Sequence, residues 1–241
     1  MKRWEDIYFY PSKTTLEFTG EINSNSVLIK GEKHILIDPG VSRRWEGLKG
    51  AIAADGLDPM DIDLIFCTHC HPDHADAAVG AAREFKADLL MSMAELDFLT
   101  SGGDRFYLRT PSGEEIPKGV IEVPDASLFK RGYPGPLFHG GREYRLYLTP
   151  GHTPGGCCFH WPDRGFLATG DVYFKGTIGS IELFGSNPGD MYRSVNLLGG
   201  LRDVEKVVCG HGPEIDGRDD VIRNYDLLFA EIAQKKAKGI L

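Results

Sequence analysis

Short apolar runs separated by glycine, proline and charged residues recur along this sequence and predict β-strands. Residues 26–30 and 34–38 are two such runs on either side of a Gly-Glu-Lys turn, and they predict a hairpin. Further strands are predicted at 63–67, 87–91, 143–149, 156–161, 165–169 and 204–209. Two mixed sheets packed face to face, with helices outside, would bury these runs.

Helices are predicted between and after the strands. The pattern favours helices at 43–54, 93–100, 190–198 and from 221 onwards, and the alanine-rich stretch 74–85 predicts another, with Asp73 as its N-cap. Residues 102–141 hold many glycines and prolines without clear periodicity. We therefore expect one domain over residues 1–241, with an insertion around 102–141 that serves as a binding loop or lid.

Composition and charge narrow the class of protein. The 241 residues include 35 acidic and 27 basic side chains, and the charge of −8 argues against a protein that mainly holds nucleic acid or an anionic membrane. No run approaches the roughly 18 apolar residues of a membrane helix. No export signal is evident, since Glu5 and Asp6 follow the basic start. The five cysteines are odd in number, with Cys157 beside Cys158, so we expect reduced thiols and a cytoplasmic protein.

The segment richest in chemistry is Thr68-His-Cys-His-Pro-Asp-His74, where a predicted strand ends and a helix begins. His69 and His71 point the same way in an extended chain, because side chains alternate. Asp73 and His74 then enter the helix and can face another direction. Imidazole nitrogen and carboxylate oxygen suit zinc, iron or manganese. One short segment can therefore serve two adjacent metal ions.

Three further candidate ligands each follow directly after an apolar run: His152, Asp171 and His211. Binding residues collect at strand ends, where loops held by a rigid scaffold converge, and the neighbouring glycines let backbone and ligand approach closely. A lone histidine or aspartate in a loop is more often structural. The shared position after a strand makes these three candidates for the same metal site.

The remaining histidines and one cysteine of the segment receive other interpretations. His34 is predicted as an exposed turn residue and His160 as a strand residue, whereas His139 receives no assignment. Cys70 alternates away from its neighbouring histidines and is not counted as a ligand.

These elements, with Asp38-Pro-Gly40 near the start, resemble the metallo-β-lactamase-fold superfamily of hydrolases over roughly residues 14–215. The resemblance implies an α/β protein, a four-layer αββα sandwich of two mixed sheets with helices outside, and a dinuclear site at one edge. It also implies that Asp38 orients ligands without touching the metals. The implied ligands are His69, His71 and His152 for one metal, Asp73, His74 and His211 for the second, and Asp171 as the bridge.

Within the superfamily, Gly170–Gly179 and residues 190–194 resemble glyoxalase II-like thioesterases. The resemblance is incomplete, because Ser180 and Glu182 stand where human-type glyoxalase II has the lysine and tyrosine that contact glutathione. The chain also lacks the longer C-terminal helical extension of that enzyme. The implied substrate is a small-molecule ester or thioester, and recognition of glutathione stays open.

The implied mechanism uses two divalent ions, zinc first with iron or manganese as alternatives, to lower the pKa of a shared water that attacks the carbonyl. Asp73 would hold the hydroxide and accept its proton. Tyr173 would donate a hydrogen bond to the developing oxyanion, or else only pack in the core. The alternatives are a lactonase with the same site, a mononuclear iron dioxygenase acting on persulfides, and a metal-binding module without turnover. The absent export signal disfavours a β-lactamase, and the acidic charge disfavours a nuclease.

Overall fold

The first of two large mixed sheets is built from the N-terminal half of the chain. The computed structural model describes residues 2–12, 23–103 and 126–239. The strands of this sheet lie side by side in chain order: β1 (Lys2–Trp4), β2 (Ile7–Tyr10), β3 (Ser26–Ile29), β4 (His34–Ile37), β5 (Ile62–Phe66), β6 (Asp88–Ser92) and β7 (Phe129–Gly132). Neighbours are antiparallel up to β4 and parallel from β4 to β7.

The second sheet comes from the C-terminal half. Its strands are β8 (Gly135–His139), β9 (Arg142–Leu148), β10 (Cys157–Trp161), β11 (Phe166–Gly170), β14 (Lys206–Cys209) and β15 (Ile215–Asp216). These strands follow one another in space in the same order, and β14 lies parallel to β11 while the other pairs are antiparallel. A small hairpin of β12 (Tyr173–Phe174) and β13 (Thr177–Ile178) lies between β11 and β14 in the chain.

Helices cover the outer faces of both sheets. They are α1 (Trp45–Ala54), α2 (Pro72–Ala75), α3 (Ala78–Phe85), α4 (Met93–Phe98), α5 (Pro188–Gly199) and α6 (Arg218–Ala237). The first four pack on the first sheet, and α5 and α6 pack on the second. Within the described residues, none of these helices has the length and apolar character needed to cross a bilayer.

The alternation of side chains along each strand explains the four layers. In β3, Val27 and Ile29 pack between the two sheets, whereas Leu28 packs against the helices. In β11, Phe166 likewise lies between the sheets and Leu167 lies under the helices. Such strands are apolar at nearly every position because the sheet is covered on both faces. The predicted αββα sandwich of two mixed sheets is confirmed.

Several local predictions were wrong. The predicted helix 74–85 is divided into α2 and α3, and His71 rather than Asp73 is the residue before the first helical turn. Pro72 takes the first helical position, where its missing N–H costs nothing, so the helix begins two residues earlier than expected. His34 is buried as the first residue of β4, paired with Ile62, and is not an exposed turn residue.

The glycine- and proline-rich stretch 102–141 contains two strands that the sequence did not predict. β7 and β8 form edges of the first and second sheet, so the chain passes from one sheet to the other between Gly132 and Gly135. Residues 104–125, which make up most of the predicted insertion, lie outside the described part of the chain.

Candidate metal centre

The segment 69–74 turns sharply between β5 and α2. One residue beyond β5, the backbone N–H of Cys67 still donates to the carbonyl of Leu90 in β6, and the chain then bends at Thr68 and His69. Pro72 then restricts His71 to extended backbone (φ −61°, ψ 143°) and starts the helix. The change from extended to helical backbone sends the side chains before and after Pro72 in different directions.

Three histidines form the first cluster of ligand atoms, called here the three-histidine group: His69, His71 and His152. Their ring nitrogens lie within 4.8 Å of one another, and all three side chains are buried. The loop after β9 brings His152 Nε2 to 3.0 Å from His71 Nδ1. His152 Nδ1 lies 2.9 Å from the carbonyl oxygen of Ser180. Since a carbonyl only accepts, Nδ1 carries the proton and Nε2 offers its lone pair to the cluster.

A second cluster, called here the Asp73 group, consists of Asp73, His74 and His211. The loop after β14 places His211 Nε2 at 3.0 Å from Asp73 Oδ2. Asp171, just beyond β11, lies between the two clusters: its Oδ1 is 3.3 Å from His74 Nε2, and its Oδ2 is 3.5 Å from His152 Nε2. The side chains singled out in the sequence therefore meet at one edge of the sandwich.

Asp38 fixes the ring orientation of one histidine in each cluster. Its carboxylate accepts 2.8 Å hydrogen bonds from the backbone N–H and the hydroxyl of Thr68, and from His74 Nδ1. Thr68 has a single hydroxyl proton, which it donates to Asp38, so its oxygen can only accept from His69 Nδ1 at 3.0 Å. Both imidazoles thereby carry a proton on Nδ1 and direct Nε2 at the site. Burial opposes a charge on His74, but Asp73, Asp171 and Asp38 outweigh it and raise its pKa well above its usual range, so a metal would have to displace the Nε2 proton of that ring.

Two histidines of the three-histidine group, His69 and His71, are held neutral. Burial lowers the pKa of His69 well below its usual range, and the neighbouring His74 and His71 lower it further. Burial, reinforced by His152, lowers the pKa of His71 to about 3. A neutral imidazole is the form that binds a metal, so these rings need lose no proton on binding.

The Asp73 group has the opposite electrostatic character. Burial alone would lower the pKa of His211, but Asp171 and Asp73 outweigh it and raise the pKa to about 9. Burial would also raise the pKa of Asp171, but His211 and His74 hold it well below its usual range. Buried carboxylates in this part of the site therefore favour positive charge beside them, which a divalent cation supplies.

The donor set fits a pair of metal ions. His69 Nε2 is buried and has no hydrogen-bond partner among the described residues, although a buried polar atom normally has one. Asp171 Oδ1 is likewise buried without a hydrogen-bond partner there. A cation at each cluster would satisfy both atoms, and imidazole with carboxylate is a donor set of zinc and iron sites.

Two glycines allow the ligand loops to approach the rest of the site. A Cβ atom on Gly210 would lie 2.0 Å from Asp171 Oδ1 and 2.6 Å from His74 Cε1. A Cβ atom on Gly155 would lie 2.0 Å from the backbone nitrogen of Glu95. A side chain at either position would displace backbone or ligand atoms.

Two buried side chains beside the site were missed from the sequence. Glu95 in α4 accepts hydrogen bonds from the backbone N–H groups of Cys70 and Gly155. Asn25, at the start of β3, donates to the carbonyls of Cys209 and Gly212. The sequence does contain a signal for Glu95, because Ser92-x-x-Glu is the pattern of a helix capping box. That pattern, however, predicts a hydrogen bond to the backbone N–H of Ser92 and not to distant loops. Nothing in the sequence marks Asn25.

Other predicted residues lie away from the clusters. The Tyr173 hydroxyl is 3.0 Å from that of Tyr225 in the core under α6, so its contacts favour the packing role. His139 lies in β8 with Nε2 2.7 Å from Asp63 Oδ1. His160 lies in β10, as predicted.

Comparison with known proteins identifies relatives of this chain. A protein of Methanocaldococcus jannaschii named "probable metallo-hydrolase" is 32% identical over 195 residues, covering 79% of this chain and 88% of that protein. BaeB of Bacillus velezensis, named "probable polyketide biosynthesis zinc-dependent hydrolase", is 33% identical over 166 residues, 68% of this chain and 60% of that protein. The solved structure of TTHA1623 in a di-iron-bound form matches with a TM-score of 0.63 and 25% identity, covering 83% of this chain and 91% of that one. The family model of the metallo-β-lactamase superfamily matches residues 19–211, and the chain belongs to that superfamily.

Proposed function

We propose that this protein is a dinuclear metal-dependent hydrolase that cleaves small-molecule esters or thioesters. The observation that carries the proposal is the position of Asp171, whose two oxygens lie 3.3 Å from His74 Nε2 and 3.5 Å from His152 Nε2. One carboxylate can thus serve both clusters at once. A paired site of this kind is suited to displacement reactions in which attacking and leaving groups both need stabilising.

In this proposal the three-histidine group holds one ion, the Asp73 group holds the second, and Asp171 binds both. Zinc is the first choice of metal, supported by the zinc-dependent hydrolase among the relatives. The di-iron form of TTHA1623 supports iron as the alternative, and manganese is also compatible with these donors.

The chemistry divides between the ions and the chain. Two bound divalent ions would lower the pKa of a water molecule to near neutrality and polarise the acyl carbonyl. Asp73 is suited to orient the attacking water and accept its proton. Burial opposes ionisation of Asp73, but His74 and His211 outweigh it and lower its pKa, so the carboxylate is available at neutral pH. In the proposed reaction, the acyl carbonyl carbon gains the water oxygen and the alkoxide or thiolate leaves.

A cysteine nucleophile is disfavoured by the environment of the thiols. All five cysteines are free and buried, and burial raises the pKa of each thiol above its usual value. Since the thiolate is the reactive form, thiols held protonated in the core are poor nucleophiles. Attack by activated water is therefore the better explanation of the site.

Elemental analysis and a substrate panel test the proposal. Purified protein should carry close to two equivalents of metal and hydrolyse some of the thioesters, aryl esters or lactones offered. His71→Ala and Asp171→Ala should each lose metal and activity, whereas His139→Ala, a histidine outside the site, should retain both. Full metal content and normal hydrolysis in either site variant would refute the ligand assignment.

The same measurements separate the alternatives. Preference for lactones over open esters would make the protein a lactonase with the same centre. One equivalent of iron with oxygen uptake on a persulfide would replace the hydrolase by a mononuclear dioxygenase. Two bound metals without turnover of any acyl substrate would indicate a metal-binding module.

A further inference from the structure

Glu95 ties together the two loops that carry the three-histidine group. Its Oε1 accepts the backbone N–H of Cys70, the residue between His69 and His71, at 2.9 Å. Its Oε2 accepts the backbone N–H of Gly155, three residues after His152, also at 2.9 Å. The carboxylate is fully buried, and Gly155 has no room for a Cβ atom against the start of α4.

These contacts are unusual for a residue in the first turn of a helix. In a capping box, a glutamate three residues after the N-cap serine bonds back to the N-cap N–H. Here Ser92 accepts the N–H of Glu95 at 3.1 Å, but the carboxylate instead reaches two loops from different sheets. Ser92 also donates its hydroxyl proton to the carbonyl of Gly155. The N-terminal end of α4 therefore binds both the backbone N–H and the backbone carbonyl of Gly155.

Asn25 makes the corresponding connection for the Asp73 group. Its backbone N–H donates to the carbonyl of Gly210 at 2.7 Å. Its side-chain nitrogen donates to the carbonyls of Cys209 and Gly212 at 2.9 and 2.8 Å. These three acceptors lie on either side of His211 in the chain. A residue next to β3 of the first sheet therefore hydrogen-bonds the loop after β14 of the second sheet.

We propose that Glu95 and Asn25 are positioning residues, each of which sets the geometry of one half of the metal centre across the two sheets. Glu95 fixes the separation of His152 from His69 and His71, and Asn25 fixes His211 against the segment 69–74. This inference rests on the proposed metal centre but not on hydrolysis.

The chemistry of each side chain suits its task. A carboxylate has only acceptors and can receive an N–H on each oxygen, whereas the amide of glutamine would turn an NH2 group towards one of the two N–H donors. The NH2 group of Asn25 supplies the two N–H donors that the carbonyls of Cys209 and Gly212 need. An aspartate there would place a carboxylate oxygen, which can only accept, against these carbonyl oxygens. Glu95→Gln and Asn25→Asp are therefore matched isosteric changes with opposite polarity.

Cobalt(II) binding, followed by its absorption spectrum, tests the proposal without measuring activity. His211→Ala leaves only the three-histidine group intact, and His71→Ala leaves only the Asp73 group. Outer partners of metal ligands typically contribute ~10–100-fold to affinity. Glu95→Gln should weaken cobalt binding by ~10–100-fold in the His211→Ala background and by less than about threefold in the His71→Ala background. Asn25→Asp should give the reverse pattern.

The outcomes separate positioning from general destabilisation. If Glu95 and Asn25 only stabilised the fold, each variant would lower the cobalt affinity of both groups equally. An equal loss of affinity in the two backgrounds, or no loss in either, overturns the proposal. If either isosteric variant does not fold, Glu95→Asp, which is one methylene too short to span both loops, and Asn25→Ala provide the same comparison. Wild-type protein that binds two metals without hydrolysing acyl substrates would refute the proposed function alone, whereas wild-type protein that binds no metal would overturn both.

Discussion

Replacing Asp38 by asparagine would exchange one carboxylate oxygen for an NH2 group at nearly constant volume. Asp38 has a left-handed backbone conformation (φ 50°), which asparagine tolerates well, so the backbone has no reason to move. The amide oxygen would keep the N–H of Thr68, because the opposite orientation would place two donors face to face. The NH2 group would then replace the oxygen that accepts from His74 and from the Thr68 hydroxyl.

This single exchange would reverse the hydrogen bonds that set two ligands. His74 Nδ1 would become an acceptor, which moves its proton to Nε2 and removes the lone pair offered to the Asp73 group. The Thr68 hydroxyl would accept from the new NH2 group and donate to His69 Nδ1, which moves the proton of that ring to Nε2 as well. One variant should therefore damage both metal sites.

The magnitude follows from the role of outer partners in metal sites. We expect each group to lose ~10–100-fold in affinity, or about 1.4–2.8 kcal/mol of binding free energy. The assay is competition with a chelator of known affinity, followed by elemental analysis. Asp63→Asn is the matched control, because Asp63 accepts from His139 Nε2 in the same manner outside the site. Wild-type affinity for two metals in Asp38→Asn would refute the reasoning.

Three further predictions concern space, hydrogen bonding and pH. Gly210→Ala should abolish metal binding although no ligand is removed, because its Cβ atom would lie 2.0 Å from a carboxylate oxygen, while Gly47→Ala, with open space around it, should bind metal normally. Tyr173→Phe and Tyr225→Phe should each lower the free energy of unfolding, measured with urea, by about 1 kcal/mol and leave kcat within a few-fold of the wild-type value. A ~10²–10³-fold loss of kcat in Tyr173→Phe alone would instead identify Tyr173 as a hydrogen-bond donor to the oxyanion. Burial lowers the pKa of His160 below 6.5, so below that pH the imidazole is protonated more readily in the unfolded chain than in the folded one. The free energy of unfolding should therefore fall as the pH drops below that value. Urea midpoints at pH 8 and pH 5 should differ less in His160→Gln than in wild type, and an equal difference would contradict the pKa shift.

The central strands could be predicted because burial on both faces leaves a strong trace in the sequence. β3, β4 and β5 are apolar at nearly every position, and glycine or charged residues separate them. β7 and β8 left no such trace. They are short edge strands with half-exposed side chains, and β8 contains Pro136, which central strands exclude.

The candidate site was visible for a related reason. Its ligands follow directly after buried strands, as His211 follows β14, so strand prediction also located the loops. The residues that hold those loops are different, because their partners are backbone groups far away in sequence. Glu95 bonds to Gly155, and Asn25 bonds to Cys209, across the boundary between the two sheets. No local pattern records such a contact.

The division of ligands between the two sheets has a consequence for the order in which a newly made chain can acquire metal. Segment 69–74 leaves the ribosome first, His152 follows with the second sheet, and His211 comes last, after β14. β14 must pair with β11 before His211 reaches its neighbours. A chain that stops short of β14 therefore contains every ligand of the three-histidine group and an incomplete Asp73 group, so truncated products would present a one-metal precursor of the centre.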